Sequence, residues 1–258
     1  MKKAVASLLA ISAIALAGCS STSSSTTEDG LKLVNGGKLT VCTNTPYKPF
    51  EYEENGKIVG FDPELGEAIA KDLGVELNVT TASFESMDSG VALSSGQCDI
   101  ALSGITVTDE RKTKMAFTET YLDDNLAILV KGDTAIKSAS DLKGKKVAVQ
   151  QATSGQAEAE KQEADVVQFE DASLMIQALQ TDQVEAVVGN ISILSEALSS
   201  DDSLKIATEI ETGEQLAGAV ASDNTELLKK ANETIKKMKD DGGLAKLQEK
   251  WLGTSDQK

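Results

Sequence analysis

Strand-like and helix-like patterns alternate from Lys38 to Trp251, and this alternation limits the possible folds of the 258-residue chain more than any other feature. The strand patterns are short apolar runs rich in valine and threonine, and the helical patterns repeat apolar residues every three or four positions. Strands that alternate with helices of this length predict mostly parallel sheets with helices on both faces. The sequence therefore predicts an α/β fold.

The alternation starts twice, which predicts two α/β lobes. The predicted strands lie at 39–43, 76–80, 99–103, 127–131, 146–150, 166–169, 184–188 and 216–221. The predicted helices lie at 62–73, 86–95, 154–162, 173–180, 191–199, 225–239 and 244–251, with a short helix from 109. Asp62 is interpreted as the N-cap of the first helix. No repeat of fixed period is present, which argues against a solenoid.

The N-terminus resembles a bacterial lipoprotein signal peptide. Lys2 and Lys3 precede an apolar run, 4–16, that is shorter than the about 20 residues a membrane-spanning helix needs. The run ends at Leu-Ala-Gly-Cys19, which predicts cleavage after residue 18 and lipidation (palmitate) of Cys19. The Ser/Thr-rich segment 19–37 is predicted to be a flexible tether. The alternative is an ordinary secretory signal, and both interpretations predict export.

The charge excludes several classes of partner. The formal net charge is −16, and removal of Lys2 and Lys3 leaves 23 basic against 41 acidic residues, hence −18. Such a chain repels nucleic acid and anionic membrane surfaces, so contact with a membrane is expected through the lipid anchor only. The chain has no histidine, the commonest general base and metal ligand. No metal and no cofactor are expected.

Two cysteines remain if Cys19 carries lipid. Outside the cytosol, Cys42 and Cys98 favour a disulfide, which is worth about 4 kcal/mol on a chain-entropy model, less any native strain. Two buried free thiols are the alternative. A zinc site is not expected, because the chain has neither histidine nor a Cys-x-x-Cys motif.

The predicted ligand site lies after two strands of the first series. Ligands of open parallel sheets bind at the carboxyl ends of the strands, here 43–50 and 103–111. The second segment combines Gly104, Thr106 and Arg111 with the start of a helix, a set that suits a carboxylate. The alternative is that Arg111 is a solvated residue of a charged helix.

Four motifs occur in an order that resembles a known family. They are Tyr47-x-Pro49-Phe50, Gly60-Phe61-Asp62-x-Glu64-Leu65, Gly96-Gln97-Cys98-Asp99-Ile100 and Gly104-Ile105-Thr106-Val107-Thr108-Asp109-Glu110-Arg111. Together they resemble the family 3 substrate-binding proteins of ABC importers for polar amino acids, over nearly all of Lys38 to Gly253. The resemblance implies a periplasmic-binding-protein type II (Venus flytrap) fold, in which two lobes close on a ligand.

The resemblance also implies domain boundaries. The first lobe is expected to be discontinuous, 38–123 plus 219–258, and the second lobe to span 124–218. Hinges are expected near Leu122–Asn125 and Gln215–Gly218. Adjacent first-lobe strands would carry Cys42 and Cys98, which supports the disulfide.

The resemblance assigns a set of ligand-binding residues. Arg111 would clamp the ligand α-carboxylate with help from the loop before it, and Tyr47 and Phe84 would form aromatic walls. The implied set is Asn44, Tyr47, Phe84, Ser103, Gly104, Thr106, Arg111, Gln150, Thr153, Ser154 and Asn190. The alternatives are that Phe84 belongs to the core and that Gln150 is an ordinary strand end.

Two positions depart from the family pattern. Asn44 and Asn190 stand where the family has aspartates that hold the ligand ammonium, and amides bring no charge. The sequence therefore favours a neutral or acidic ligand over a cationic one, with Lys48 as a possible second cation. Asp123 and Asp124 near the hinge are candidates to restore the charge.

The implied function is that of an extracytoplasmic, lipid-anchored binding protein. It would bind a polar amino acid and deliver it to an ABC permease and ATPase complex, as a monomer and without catalysis. Two alternatives use the same fold. One is a dehydratase-like enzyme that acts on small carboxylates, and the other is a sensing or adhesion lipoprotein.

Overall fold

The computed structural model describes residues 25–26 and 31–253. The strands are β1 (Ser25–Thr26), β2 (Lys32–Leu33), β3 (Lys38–Thr43), β4 (Tyr52–Glu54), β5 (Lys57–Val59), β6 (Glu76–Thr81), β7 (Ile100–Ala101), β8 (Ala116–Phe117), β9 (Leu122–Asp123), β10 (Leu126–Lys131), β11 (Lys146–Gln150), β12 (Asp165–Phe169), β13 (Ala186–Asn190), β14 (Leu204–Ile210), β15 (Gln215–Leu216) and β16 (Ala219–Val220). The helices are α1 (Phe61–Asp72), α2 (Phe84–Asp88), α3 (Val91–Ser94), α4 (Asp109–Lys112), α5 (Ser154–Lys161), α6 (Ala172–Gln180), α7 (Ile191–Leu198), α8 (Thr225–Asp240) and α9 (Gly243–Leu252), with a 3-10 helix at Ala139–Leu142.

Two five-stranded sheets form the centres of two lobes, as the restarted alternation predicts. The first-lobe sheet has the order β6-β3-β7-β16-β8, and the second-lobe sheet has the order β12-β11-β13-β10-β14. In the first, β3 runs parallel to β6 and β7, while β16 is antiparallel to β7 and β8. In the second, β11 runs parallel to β12 and β13, while β10 is antiparallel to β13 and β14. The sheets are therefore mixed, because β10 and β16, the strands that follow a crossing between lobes, run against their neighbours.

The central strands of both sheets are buried on both faces. Side chains on opposite faces are fully inaccessible to solvent in each strand, Val41 and Cys42 in β3 and Val147 and Ala148 in β11. Aliphatic residues on both sides of a strand are typical of a sheet that helices cover on both faces.

A small antiparallel sheet links the lobes. In it, β9 pairs with β15, with Leu122 opposite Leu216 and Asp123 opposite Gln215. This sheet lies within the two segments that the sequence predicts as hinges. The domain boundaries themselves stay a prediction.

The chain packs on the first lobe earlier than the predicted tether allows. Leu31 and Leu33 are buried, and the amide of Val34 donates a hydrogen bond to Asp99 Oδ1 at 2.7 Å. The predicted end of the tether at residue 37 is therefore too late, because apolar residues follow the Ser/Thr tract. The signal peptide, Cys19 and most of the tether lie outside the described residues.

The predicted disulfide is confirmed. Cys42 of β3 is bonded to Cys98, just before β7, and their Cα atoms lie 5.7 Å apart. Both cysteines are buried. The bond ties β3 to the segment that leads into the neighbouring strand β7.

Several local features differ from the predictions. The strand predicted at 216–221 is two strands, β15 and β16, in different sheets. The helix predicted at 86–95 is two helices, because Gly90 between them has φ +76°. Asp62 is not an N-cap: Gly60 occupies that position, and Asp62 lies in the first turn of α1. The hairpin formed by β4 and β5 was not predicted, although Asn55 and Gly56 at its turn are a typical hairpin signal.

Candidate functional site

Arg111 lies between the lobes and is only 4% exposed. Its Nε donates to Asp88 Oδ1 at 2.8 Å, and Nη1 donates to the carbonyl of Thr106 at 2.7 Å. Its Nη2 crosses to the second lobe and donates to the carbonyl of Ala152 at 2.9 Å. The guanidinium carbon lies 5.3 Å from the centre of the Phe84 ring, within range of a cation–π contact. Arg111 is therefore a positioned cleft residue and not a solvated surface one.

The loop before Arg111 is held by two buried carboxyl groups. The amide of Gly104 donates to Asp62 Oδ2 at 2.6 Å, and the Ser103 hydroxyl donates to Glu51 Oε1. The amide of Asn44 donates to Ser103 Oγ at 3.1 Å. The Ser103 side chain thus forms its hydrogen bonds within the first lobe. Gly104 has a φ of +53°, a left-handed conformation that favours glycine.

Burial raises the pKa of both carboxyl groups under this loop. The pKa of Asp62 rises to about 7 because the group is fully buried, although the amide of Gly104 opposes the rise. The pKa of Glu51 rises because of burial and because Asp62 lies next to it. Asp62 also faces the Tyr121 hydroxyl, whose pKa burial raises in the same way. The three groups beneath this loop, Glu51, Asp62 and Tyr121, therefore lose their protons only at a higher pH than usual.

Aromatic side chains flank the loop on two sides. Tyr47 stacks on Phe50 with ring centres 5.8 Å apart, and its hydroxyl donates to Asn190 Oδ1 of the second lobe at 3.4 Å. A Cβ added to Gly104 would lie 3.0 Å from the Tyr47 ring, and together with the positive φ this close approach favours glycine. Phe84 packs in a first-lobe apolar cluster and also contacts Arg111, so the core interpretation of Phe84 is partly correct.

The second lobe contributes the turn between β11 and α5. Gln150 Nε2 donates to Asn44 Oδ1 at 2.8 Å, across the cleft. Thr153 is the N-cap of α5, and its hydroxyl donates to the carbonyl of Gln150 at 2.7 Å. The Ser154 hydroxyl donates to Glu214 Oε2 at 2.8 Å. These contacts place a helix N-terminus, which favours anions, opposite Arg111.

A further carboxyl group, that of Asp124, lies beside the hinge at 2% exposure. Its Oδ1 accepts from the amide and the hydroxyl of Ser192, at 3.2 and 2.9 Å. Its Oδ2 has no hydrogen-bond partner among the described residues. Burial raises its pKa to about 7, while the bonds from Ser192 lower it. Burial raises the pKa of the Tyr47 hydroxyl, and the charge of Asp124 raises it further.

The space left among the predicted ligand residues is small. A cavity of about 10 Å³, enough for about one water molecule, lies between Tyr47 and the second lobe. It is lined by Tyr47, Gln150, Thr153, Met175, Val188, Gly189, Asn190 and Ile193. An amino acid would therefore require the lobes to separate.

A larger groove of about 730 Å³ lies between α7, α9 and β9. Its lining includes acidic residues but no lysine or arginine, and none of the eleven predicted ligand residues. A carboxylate is therefore not favoured there.

The structure brings all eleven predicted ligand residues together through the contacts described above. Asp124 was a candidate from the sequence, but four other acidic residues beside the site were missed: Glu51, Asp62, Asp88 and Glu214. Two of these four had a signal, since Glu51 directly follows the Tyr-x-Pro-Phe motif and Asp62 lies within Gly-Phe-Asp. The other two, Asp88 and Glu214, come from distant segments.

The model of the family described as bacterial extracellular solute-binding proteins, family 3, matches residues 39–254. The chain belongs to this family. The arginine-binding extracellular protein ArtP of Bacillus subtilis (strain 168) is 38% identical over 92% of this chain and 92% of its own length. The L-cystine-binding protein TcyJ of Escherichia coli (strain K12) is 32% identical over 95% of this chain and 94% of its own.

Solved structures agree with this assignment. An ancestral arginine-binding protein bound to arginine has a TM-score of 0.80 and 37% identity, over 84% of this chain and 99% of the other. The same values of score and coverage hold for an ancestral arginine-binding protein bound to glutamine, at 38% identity. The two-lobed fold class is therefore confirmed. Among residues 31–253, no helix has the length and apolar character of a membrane span.

Proposed function

We propose that this chain captures an amino acid outside the cytoplasm and delivers it to an ABC permease and its ATPase. The observation that carries the proposal is the position of Arg111, a buried guanidinium that donates to both lobes. Its fork geometry suits a carboxylate, and the N-terminus of α5 lies on the other side of the cleft. An α-carboxylate between these groups would bridge the lobes.

Binding in this proposal depends on opening and closing of the lobes. Contacts across the cleft, such as Gln150 with Asn44 and Lys48 with Glu196 at 2.6 Å, hold a closed arrangement with little internal space. A ligand that contacts both lobes stabilises the closed state over the open one. The permease would then distinguish the liganded form by its shape.

The charge of the ligand is the finer part of the proposal. Asn44 and Asn190, as amides, favour a neutral or acidic ligand. Asp124 has an unpartnered buried oxygen and lies near Tyr47. With this acidic group counted, the reason to disfavour a cation is weaker. Since ancestral relatives bind arginine and glutamine, we propose these two amino acids as the first candidates.

Calorimetry with the purified protein tests the proposal. We expect stoichiometric binding of arginine or glutamine, and weaker binding of glutamate and cystine. Tighter binding of glutamate than of arginine would return the preference to acidic ligands. If none of the twenty amino acids binds, the proposal is wrong. Turnover of a prephenate-type acid would instead support the dehydratase alternative.

The lipid anchor at Cys19 remains part of the proposal. Metabolic labelling with an alkyne fatty acid should mark the wild type but not Cys19→Ser, and the variant should be released from the membrane. Equal release of both proteins would favour an ordinary secretory signal. Light scattering should give the mass of a monomer.

A further inference from the structure

Glu214 places a carboxylate between the two lobes. One of its oxygens, Oε2, accepts from the Thr106 hydroxyl of the first lobe at 3.0 Å. The same oxygen accepts from the Ser154 hydroxyl of the second lobe at 2.8 Å. Ser154 is the first residue of α5, so the carboxylate lies at a helix N-terminus, where negative charge is stabilised. A single acidic side chain thus joins both halves of the cleft.

The backbone of Glu214 is fixed at the hinge. Its carbonyl accepts from the amide of Asp124 at 3.0 Å, and the next carbonyl, of Gln215, accepts from the amide of Val107 at 2.8 Å. Leu216 then bridges Thr106 in an antiparallel arrangement. The carboxylate is therefore supplied from a segment that belongs to the link between the lobes, and any separation of the lobes must break at least one of its two bonds.

The two hydroxyls that Glu214 engages are also two of the residues assigned to the ligand. A hydroxyl has a single hydrogen to donate, so Thr106 and Ser154 cannot serve Glu214 and a ligand carboxylate fully at the same time. Both acceptors are carboxylates, and both would lie at the N-terminus of α5.

We infer that Glu214 is an internal competitor of the ligand: its carboxylate takes the hydroxyls of Thr106 and Ser154 and holds the lobes together until a ligand carboxylate displaces it. The inference rests on the proposed function for the identity of the ligand. The bridge itself rests only on the two hydrogen bonds. Glu214 then lowers the affinity for every ligand, and it selects ligands that carry a carboxylate able to take its place at the two hydroxyls.

Calorimetry with Glu214→Ala tests the competition, with L-arginine and L-glutamine as probes. We expect whichever of the two amino acids binds the wild type to bind the variant about five- to tenfold more tightly. The reason is that binding to the variant breaks no hydrogen bonds of Glu214 to Thr106 and Ser154. Glu214→Gln, which keeps an acceptor but loses the charge, should lie between wild type and Glu214→Ala. Glu211→Ala removes the same charge from an exposed residue nearby and should match the wild type. Affinity that is unchanged or weaker in Glu214→Ala would overturn the inference.

Small-angle scattering of the unliganded proteins tests the bridge separately. We expect a larger radius of gyration for Glu214→Ala than for wild type and Glu211→Ala, since the lobes lose a shared acceptor. Equal radii would overturn the bridge. If the wild type binds no amino acid, the proposed function fails, and the scattering result still decides whether Glu214 holds the lobes together.

Discussion

The two halves of the cleft are built differently. On the first-lobe side, the Ser103–Gly104 loop is held by two buried side chains, Glu51 and Asp62. Arg111 is held there by Asp88 and by the carbonyl of Thr106. On the second-lobe side, the contacts come from a short turn and from the start of α5, with a main-chain carbonyl at Ala152. The first half is therefore fixed by its own lobe before any ligand arrives, while the second half is completed by closure.

This difference predicts an order of events. A ligand that meets the open protein should bind the first lobe through its carboxylate, because the donors there are already in place. Closure of the second lobe then adds the remaining contacts and slows release. Changes in the first half should therefore cause the larger loss of affinity. Changes in the second half should mainly raise the dissociation rate.

Arg111→Ala tests most directly whether the first half of the cleft anchors the ligand. We expect a loss of at least about a thousandfold in affinity, or about 4 kcal/mol, because the variant lacks the charged donor for the carboxylate. Calorimetry measures the affinity, and circular dichroism should show that the protein is folded. Arg111→Lys keeps the charge without the forked guanidinium, and its affinity should lie between those of the wild type and Arg111→Ala. A loss of less than about tenfold in Arg111→Ala would remove Arg111 as the anchor.

The rigidity of the first half can be tested through its disulfide. Cys42→Ala with Cys98→Ala should lower the free energy of unfolding by about 2 to 4 kcal/mol, since the bond closes a loop with a sequence separation of 56. Urea unfolding measures the change, and reduction of the wild type should give a similar shift. If stability does not change, the bond does not support the first lobe.

The hinge allows a test by pH. The pKa of Asp124 is raised from 3.8 to about 7, so the folded state binds its proton more tightly than the unfolded state. The stabilisation is complete below about pH 4 and is lost as the pH rises through about 7, a change on the order of 4 kcal/mol. Asp124→Asn should flatten this part of the profile of melting temperature against pH. A variant with the same profile as wild type would contradict the assignment.

The smallest expected effect concerns the second half. Thr153→Ala removes the N-cap of α5 and should cost about 1 kcal/mol of stability. Affinity should fall only a few-fold, with the change in the dissociation rate. Thr153→Ser keeps the hydroxyl and should restore both quantities. A loss of binding as large as that of Arg111→Ala would mean that the two halves are not distinct.

The sequence predicted those parts of the molecule that depend on local pattern. The long strands and helices, the lobes and the Cys42–Cys98 bond follow from periodicity, composition and family motifs. The buried acidic residues do not, because their role depends on contacts between distant segments. Asp62 illustrates this: its place near a helix start suggested a cap, while its carboxylate instead holds Gly104. The two-residue strands at the hinge are too short to leave a periodic signal.

Because of the position of β16, the first lobe begins earlier in the chain than the second but completes its sheet later. This strand, Ala219–Val220, lies inside the first-lobe sheet between β7 and β8, although it is made after the whole second-lobe sheet. The second lobe can therefore complete its sheet once Ile210 has been made, whereas the first-lobe sheet must wait for Val220. The helices α8 and α9, which pack on α1 of the first lobe, are made later still. A chain that stops early would keep an intact second lobe but lose the half that anchors the ligand.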